Sequence, residues 1–93
     1  MIQVTLALSG TLREYFDEPE YLVELPDGAT LGDLLVRIEE DHGARLTGSI
    51  WNRSEHRFRG AMVLMIGARA VKDRAMLLRA GQTVKVFKAV VGG

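Results

Sequence analysis

Few side chains in this 93-residue sequence are equipped to make or break bonds. There is no cysteine, which excludes a thiolate nucleophile, a thiolate metal site and a disulfide framework. The two histidines, His42 and His56, have no carboxylate or second histidine at a metal-ligating or catalytic spacing. His42 sits in the last turn of an expected helix, where a partly positive imidazole suits the helix dipole, by capping or in solvent. His56 reads as an ordinary loop residue. Ser9, Thr11, Ser49 and Ser54 lack a histidine and an acid in a recognisable arrangement. Gly67 and Gly81 read as turn glycines outside any phosphate-binding pattern. The expectation is a chain with no catalytic residues, no metal site and no bound cofactor: not an enzyme in itself.

One reactive group is left, the end of the sequence, "AVVGG" at 89–93. An α-carboxylate is ionised at neutral pH and is a poor electrophile, so it reacts only after activation. Glycine has no side chain, so a Gly92–Gly93 end can thread a narrow slot in another protein. Counted from Lys88, an extended tail reaches roughly 20 Å. The competing reading is a frayed terminus, the common fate of chain ends.

The elements that would present this tail follow from periodicity. In "IQVTLAL" Ile2, Val4, Leu6 and Leu8 alternate with Gln3 and Thr5, which predicts a half-buried strand. "YLVEL" at 21–25 predicts a second, antiparallel to the first, ended by the turn residues of "PDG" at 26–28. Leu31, Leu34, Leu35 and Ile38 recur at helical spacing after Thr30, with Asp33 placed to complete a capping box and Gly43 as the stop. A single apolar stripe means that one face of this helix lies on a sheet. Residues 43–60 read as a loop, in which Trp51 is either folded onto the sheet edge or an exposed contact. The apolar run 61–66 predicts a strand flanked on both sides, "GARAV" a short extended piece, and 84–87 a final strand with Val84 and Val86 opposite Lys85 and Phe87. The order predicts one α+β domain over residues 1–93, with a four- or five-stranded mixed sheet crossed by one main helix. If the first and last strands are central and parallel, it is a ubiquitin-like β-grasp roll.

Twelve basic and twelve acidic residues give zero formal net charge, which supports neither a nucleic-acid nor a membrane partner. Asp17, Glu18 and Glu20, and separately Arg53, Arg57 and Arg59, read as small clusters on solvated faces. No leader or membrane-length run is read, so the expected location is cytoplasmic.

Four stretches together resemble the small sulfur-carrier proteins of the β-grasp superfamily, most closely the small subunit of molybdopterin synthase and more distantly the thiamine carrier. They are "LREYF" at 12–16, "LPDGATLGDLLVRI" at 25–38, "LLRAGQTVKVF" at 77–87 and the terminal "AVVGG". The chain departs from the family pattern at Gln82, Ile66 and Lys88–Ala89, where aspartate, asparagine and prolines are usual. The resemblance implies that a ubiquitin-activating-type adenylating enzyme uses ATP to activate Gly93. A sulfur donor then converts it to a thiocarboxylate, and a sulfur-accepting enzyme, such as a molybdopterin synthase large subunit, receives the sulfur. Gly92 is then the spacer, and Phe87, Val71, Val90 and Val91 are candidates for docking on partners. For Phe87 a second small core under the 43–60 loop is the equal alternative. A protein modifier joined to lysines through the same glycine, and a non-covalent adaptor, remain open beside the carrier.

Overall fold

Alternation along Ile2–Leu8 builds the first strand (β1), whose Val4, Leu6 and Leu8 are all buried. The computed structural model describes residues 1–89. The second strand (β2, Glu20–Leu25) runs antiparallel to β1, with Val4 opposite Val23 and Ile2 opposite Leu25. The connection between them is more than a turn. Gly10–Tyr15 forms a short 3-10 helix that buries Leu12 in the core.

The helix (α1, Leu31–His42) begins as its sequence dictates. Thr30 Oγ1 accepts from the Asp33 amide at 3.2 Å, and Asp33 Oδ2 accepts from the Thr30 amide at 2.9 Å. These two bonds satisfy donors that a helix start otherwise leaves open. Leu31, Leu34, Leu35 and Ile38 are buried, so the apolar stripe lies on the sheet. Residues 74–76 pin the same end, because the Arg74 and Met76 carbonyls accept from the Gly32 and Leu31 amides.

The remaining strands are β3 (Trp51–Asn52), β4 (Arg57–Phe58), β5 (Met62–Ile66), β6 (Arg69–Ala70) and β7 (Thr83–Lys88). The main sheet has five strands in the order β2-β1-β7-β5-β6. Within it β1 and β7 are parallel, and the other neighbours are antiparallel. This is the expected α+β roll, with the first and last strands side by side. Val84 and Val86 on β7, the middle strand of the five, are 0% exposed. The apolar run in β5 is flanked on both edges as expected, yet each of its residues is only half-buried.

Gly43 stops α1 as expected, as its C-cap. It does so with an ordinary right-handed φ of −56°, and the chain continues into a 3-10 turn over Gly43–Arg45. A Cβ there would be tight, 3.1 Å from Glu39 Cγ and 3.3 Å from Arg53 Nη1, so these side chains would have to shift slightly. The Arg53 Nη2 group donates to the Gly43 carbonyl at 2.7 Å and the Leu46 carbonyl at 3.1 Å. Arg53, exposed like Arg57 and Arg59 as expected, thus also ties the turn that follows α1 to the 43–60 segment.

Residues 43–60 are not a plain loop. They bury Leu46, Ile50 and Trp51 and form the β3–β4 hairpin. Trp51, 1% exposed, packs edge-on against Phe58 at 4.9 Å and donates through Nε1 to Glu39 Oε1 at 2.7 Å. The packed reading of Trp51 is the one the fold realises. His42 is also packed rather than freely solvated: its ring lies 5.0 Å from Phe16 and 4.6 Å from Tyr21. Tyr21 Oη accepts from the Asp17 and Glu18 amides at 2.9 and 3.0 Å, which ties the cluster to the entry of β2.

Replacing Leu35 by Ala should cost about 2–5 kcal/mol, as for other buried leucines; chemical unfolding measures it, and an unchanged midpoint would mean that the stripe does not pack. A second expectation concerns pH. Burial pushes the His42 pKa below its ordinary 6.5, against the opposing pull of Asp41 and Asp17. Folded His42 therefore holds a proton less readily than unfolded His42. Its contribution to stability is complete above pH 6.5 and is lost as pH falls below that value. Urea unfolding from about pH 8 to about pH 5 should show this loss, and His42→Phe should flatten that part of the curve.

Candidate functional site

Because β7 is paired on both edges, the chain is held to the sheet up to its last described residues. Lys88 lies opposite Met62, and the Ala89 amide donates to the Ala61 carbonyl at 2.7 Å. Lys88 is therefore the last residue of β7, and Ala89 is still bonded to the sheet, so a tail counted from Lys88 starts too early. Val90, Val91, Gly92 and Gly93 lie outside the described residues.

The strand that leads to this exit has two faces. Val84 and Val86 point into the core beneath α1; Thr83, Lys85 and Phe87 point away from it. Register places Val63 opposite Phe87 and Met65 opposite Lys85, so these four share the outer face. Phe87, Val63 and Met65 are half-buried, and none of the three packs against the core. Phe87 is thus not part of a second core under residues 43–60, which belong to the helix side through Trp51 and Glu39. Farther across the same face, beyond Thr5 and Ala7, Leu22 is 69% exposed.

Val71 does not join this patch. It packs against the main core, and its amide donates to the Leu64 carbonyl at 2.8 Å. The fold therefore separates Phe87 from Val71 and brings it to Val63 and Met65 instead. Those two were not singled out in the sequence because "AMVLMI" has no polar residue to mark which phase faces outward.

The fold does assemble one carboxylate–histidine pair that spacing did not reveal. His56 Nδ1 lies 3.1 Å from Glu39 Oε2, and Glu39 Oε1 already accepts from Trp51. His56 has a φ of +52°, a left-handed conformation that aims its ring back at the helix. Glu39 thereby ties α1 to β3 through Trp51 and to the hairpin turn through His56. Among the described residues no group of three or more histidine, cysteine or acidic side chains is placed to hold a metal ion. Among them, too, no helix is long and apolar enough to cross a membrane. Ion pairs such as Asp17–Arg45 and Glu55–Arg57 sit on exposed surface, where such pairs contribute little.

No family model matches the sequence, and no curated protein matches it. Solved structures do. SAMP1 from Haloferax volcanii superposes with a TM-score of 0.79 at 20% identity, over 98% of this chain and 99% of that one. A Pyrococcus furiosus protein described provisionally as molybdopterin converting factor subunit 1 gives 0.74 at 22% identity, over 97% of this chain and 100% of that one. Urm1 from Trypanosoma brucei gives 0.74 at 12% identity, over 98% of this chain and 95% of that one. Near-complete coverage at such low identity is a likeness of backbone. With its five-stranded mixed sheet, its crossing helix and its central parallel pair, the chain has the ubiquitin-like β-grasp fold.

Proposed function

We propose that this chain is a ubiquitin-like sulfur carrier that acts through Gly93. One observation carries the reading: a Gly-Gly ending follows, within a few residues, the central strand of a β-grasp sheet. The tail chemistry needs little else from the chain itself. The Gly93 carboxylate attacks the α-phosphorus of ATP on a separate adenylating enzyme, releasing pyrophosphate and forming an acyl-adenylate. A persulfide donor then displaces AMP, and cleavage of the sulfur–sulfur bond by a thiol leaves the thiocarboxylate. An accepting enzyme, such as a molybdopterin synthase large subunit, takes the sulfur. Gly92 keeps the tail thin enough for the slot that aligns the carboxyl, and a misplacement of about 1 Å there can cost on the order of a hundredfold in rate.

Docking on these partners falls to the outer sheet face, with Phe87 at its centre and Val63 and Met65 beside it. Phe87 adjoins Lys88, the last residue of β7. A partner seated on Phe87 therefore also fixes the point from which the tail departs. Val90 and Val91 would line the approach to the slot. The protein-modifier reading shares the same activated carboxyl, with a lysine amine in place of sulfur as the attacking group. It stays beside the carrier because one structure of this fold is named small archaeal modifier protein 1.

Reconstitution with the adenylating enzyme, ATP and a persulfide donor tests the proposal. Deletion of Gly93, or Gly92→Trp, should abolish thiocarboxylate formation read by mass spectrometry, with the melting temperature unchanged. Phe87→Ala should raise the concentration of chain needed for half-maximal adenylation while leaving the rate at saturation near that of the unaltered chain. Sulfur delivery by the Gly93-deleted chain would overturn the carrier reading. A Gly-Gly remnant on lysines of other proteins in the host, without thiocarboxylate, would put the modifier in its place.

A further inference from the structure

Zero net charge conceals a sorting of charge along the chain. Residues 1–42 hold ten of the twelve carboxylates and two of the twelve cations; residues 43–93 hold two carboxylates and ten cations. The sheet order turns this sequence asymmetry into a spatial one, because β2 forms one edge and β6 the other.

At the β2 edge Glu20, Leu22 and Glu24 lie on the outer face and all three are exposed, with Asp17 and Glu18 just before them. Leu22 is among the most exposed large apolar residues described. At the β6 edge lies an open cleft of about 680 Å³. Ile66, Met76 and Leu77 supply apolar wall, while Arg69, Lys72 and Arg79 line it with positive charge. Its one carboxylate, Asp73, is engaged through Oδ1 by the Ala75 amide at 2.9 Å. Among the described residues, none of Arg69, Lys72, Arg79, Glu20 and Glu24 forms an ion pair.

We propose that the cleft at the β6 edge receives the acidic β2 edge of a second copy of this chain, so that copies associate head to tail. The two surfaces are complementary in kind, an apolar side chain between two carboxylates against an apolar wall among three cations. Pairing of like edges is opposed, since it sets glutamates against glutamates or arginines against arginines. The approach of whole molecules is not opposed, because the net charge is zero. Recognition is by side chains rather than by strand addition, for Arg37 Nη1 already donates to the Glu24 carbonyl at 3.1 Å. A contact between unlike edges leaves one edge of each kind unfilled in a dimer, so association runs past two, into a ring or a filament. The proposal is independent of any chemistry at Gly93.

Sedimentation equilibrium of the full chain tests it, at about 10 mM and about 1 M salt, where charges are screened over about 30 Å and about 3 Å. The average mass should rise with concentration beyond that of a dimer at low salt and return to the 10.3 kDa monomer at high salt. One variant, Glu20→Gln with Leu22→Ser and Glu24→Gln, removes the acidic edge. A second, Arg69→Gln with Lys72→Gln and Arg79→Gln, removes the cationic rim. With melting temperatures verified as native, each alone should be monomeric, and an equimolar mixture should form a one-to-one dimer that grows no further. A monomer at every concentration in low salt would overturn the proposal. So would a wild-type species that stops at a dimer, association indifferent to salt, or variants that associate like the unaltered chain.

Discussion

β1 and β7 stand at opposite ends of the described chain, yet they lie side by side in the middle of the sheet, parallel from Thr5–Thr83 to Leu8–Val86. Such a contact closes nearly the whole chain into one loop, and local structure alone cannot offset that entropy. Burial does: Leu6, Val84 and Val86 are wholly enclosed between this pair and the helix stripe of Leu31, Leu34, Leu35 and Ile38. Other features of the molecule take their place from this pairing. With β1 on one side of it and β5 on the other, β7 can neither slide nor fray without breaking two ladders. Phe87 is thereby fixed on the outer face, and the chain is held until Ala89.

A second constraint acts at the far end of the helix. Residues 43–60 are tied to the end of α1 and to the turn that follows it. Arg53 bonds the Gly43 and Leu46 carbonyls, while Trp51 and His56 converge on Glu39. Arg53 packs close against Gly43, where a Cβ would lie 3.3 Å from its Nη1. The 43–60 segment is therefore an extension of the core, anchored by one carboxylate and one guanidinium, rather than an appendage over it.

Regular periods made much of this legible in the sequence. The alternation of β1, the helical stripe and the Thr30–Asp33 cap each follow from patterns within a few residues, and each matches its element in the fold. Residues 43–60 were opaque because their order depends on distant partners: Trp51 finds Glu39, and Arg53 finds the Gly43 carbonyl, through contacts that no local pattern encodes. Phe87 and Val71 are both apolar residues, and nothing local in the sequence separates their surroundings. Only the register of β5 against β7 shows that Phe87 meets Val63 while Val71 belongs to the core. The uniformly apolar "AMVLMI" had no phase to disclose this. The candidate tail, in contrast, is legible in the sequence alone.

Charge and apolar surface divide their tasks across the sheet. Zero net charge leaves no long-range attraction or repulsion of the molecule as a whole, but an acidic β2 edge and a cationic β6 edge give it a direction. A partner with its own charge pattern is oriented by that dipole before contact, over about 10 Å at moderate salt. The final seat is short-ranged, because apolar surface attracts only on touching. Phe87 lies between the two charged edges, on the strand that ends one residue later, so under the proposed docking mode the same few strands would supply orientation, seat and exit point. A change in salt should therefore alter how quickly a partner finds this face more than how firmly it is held there.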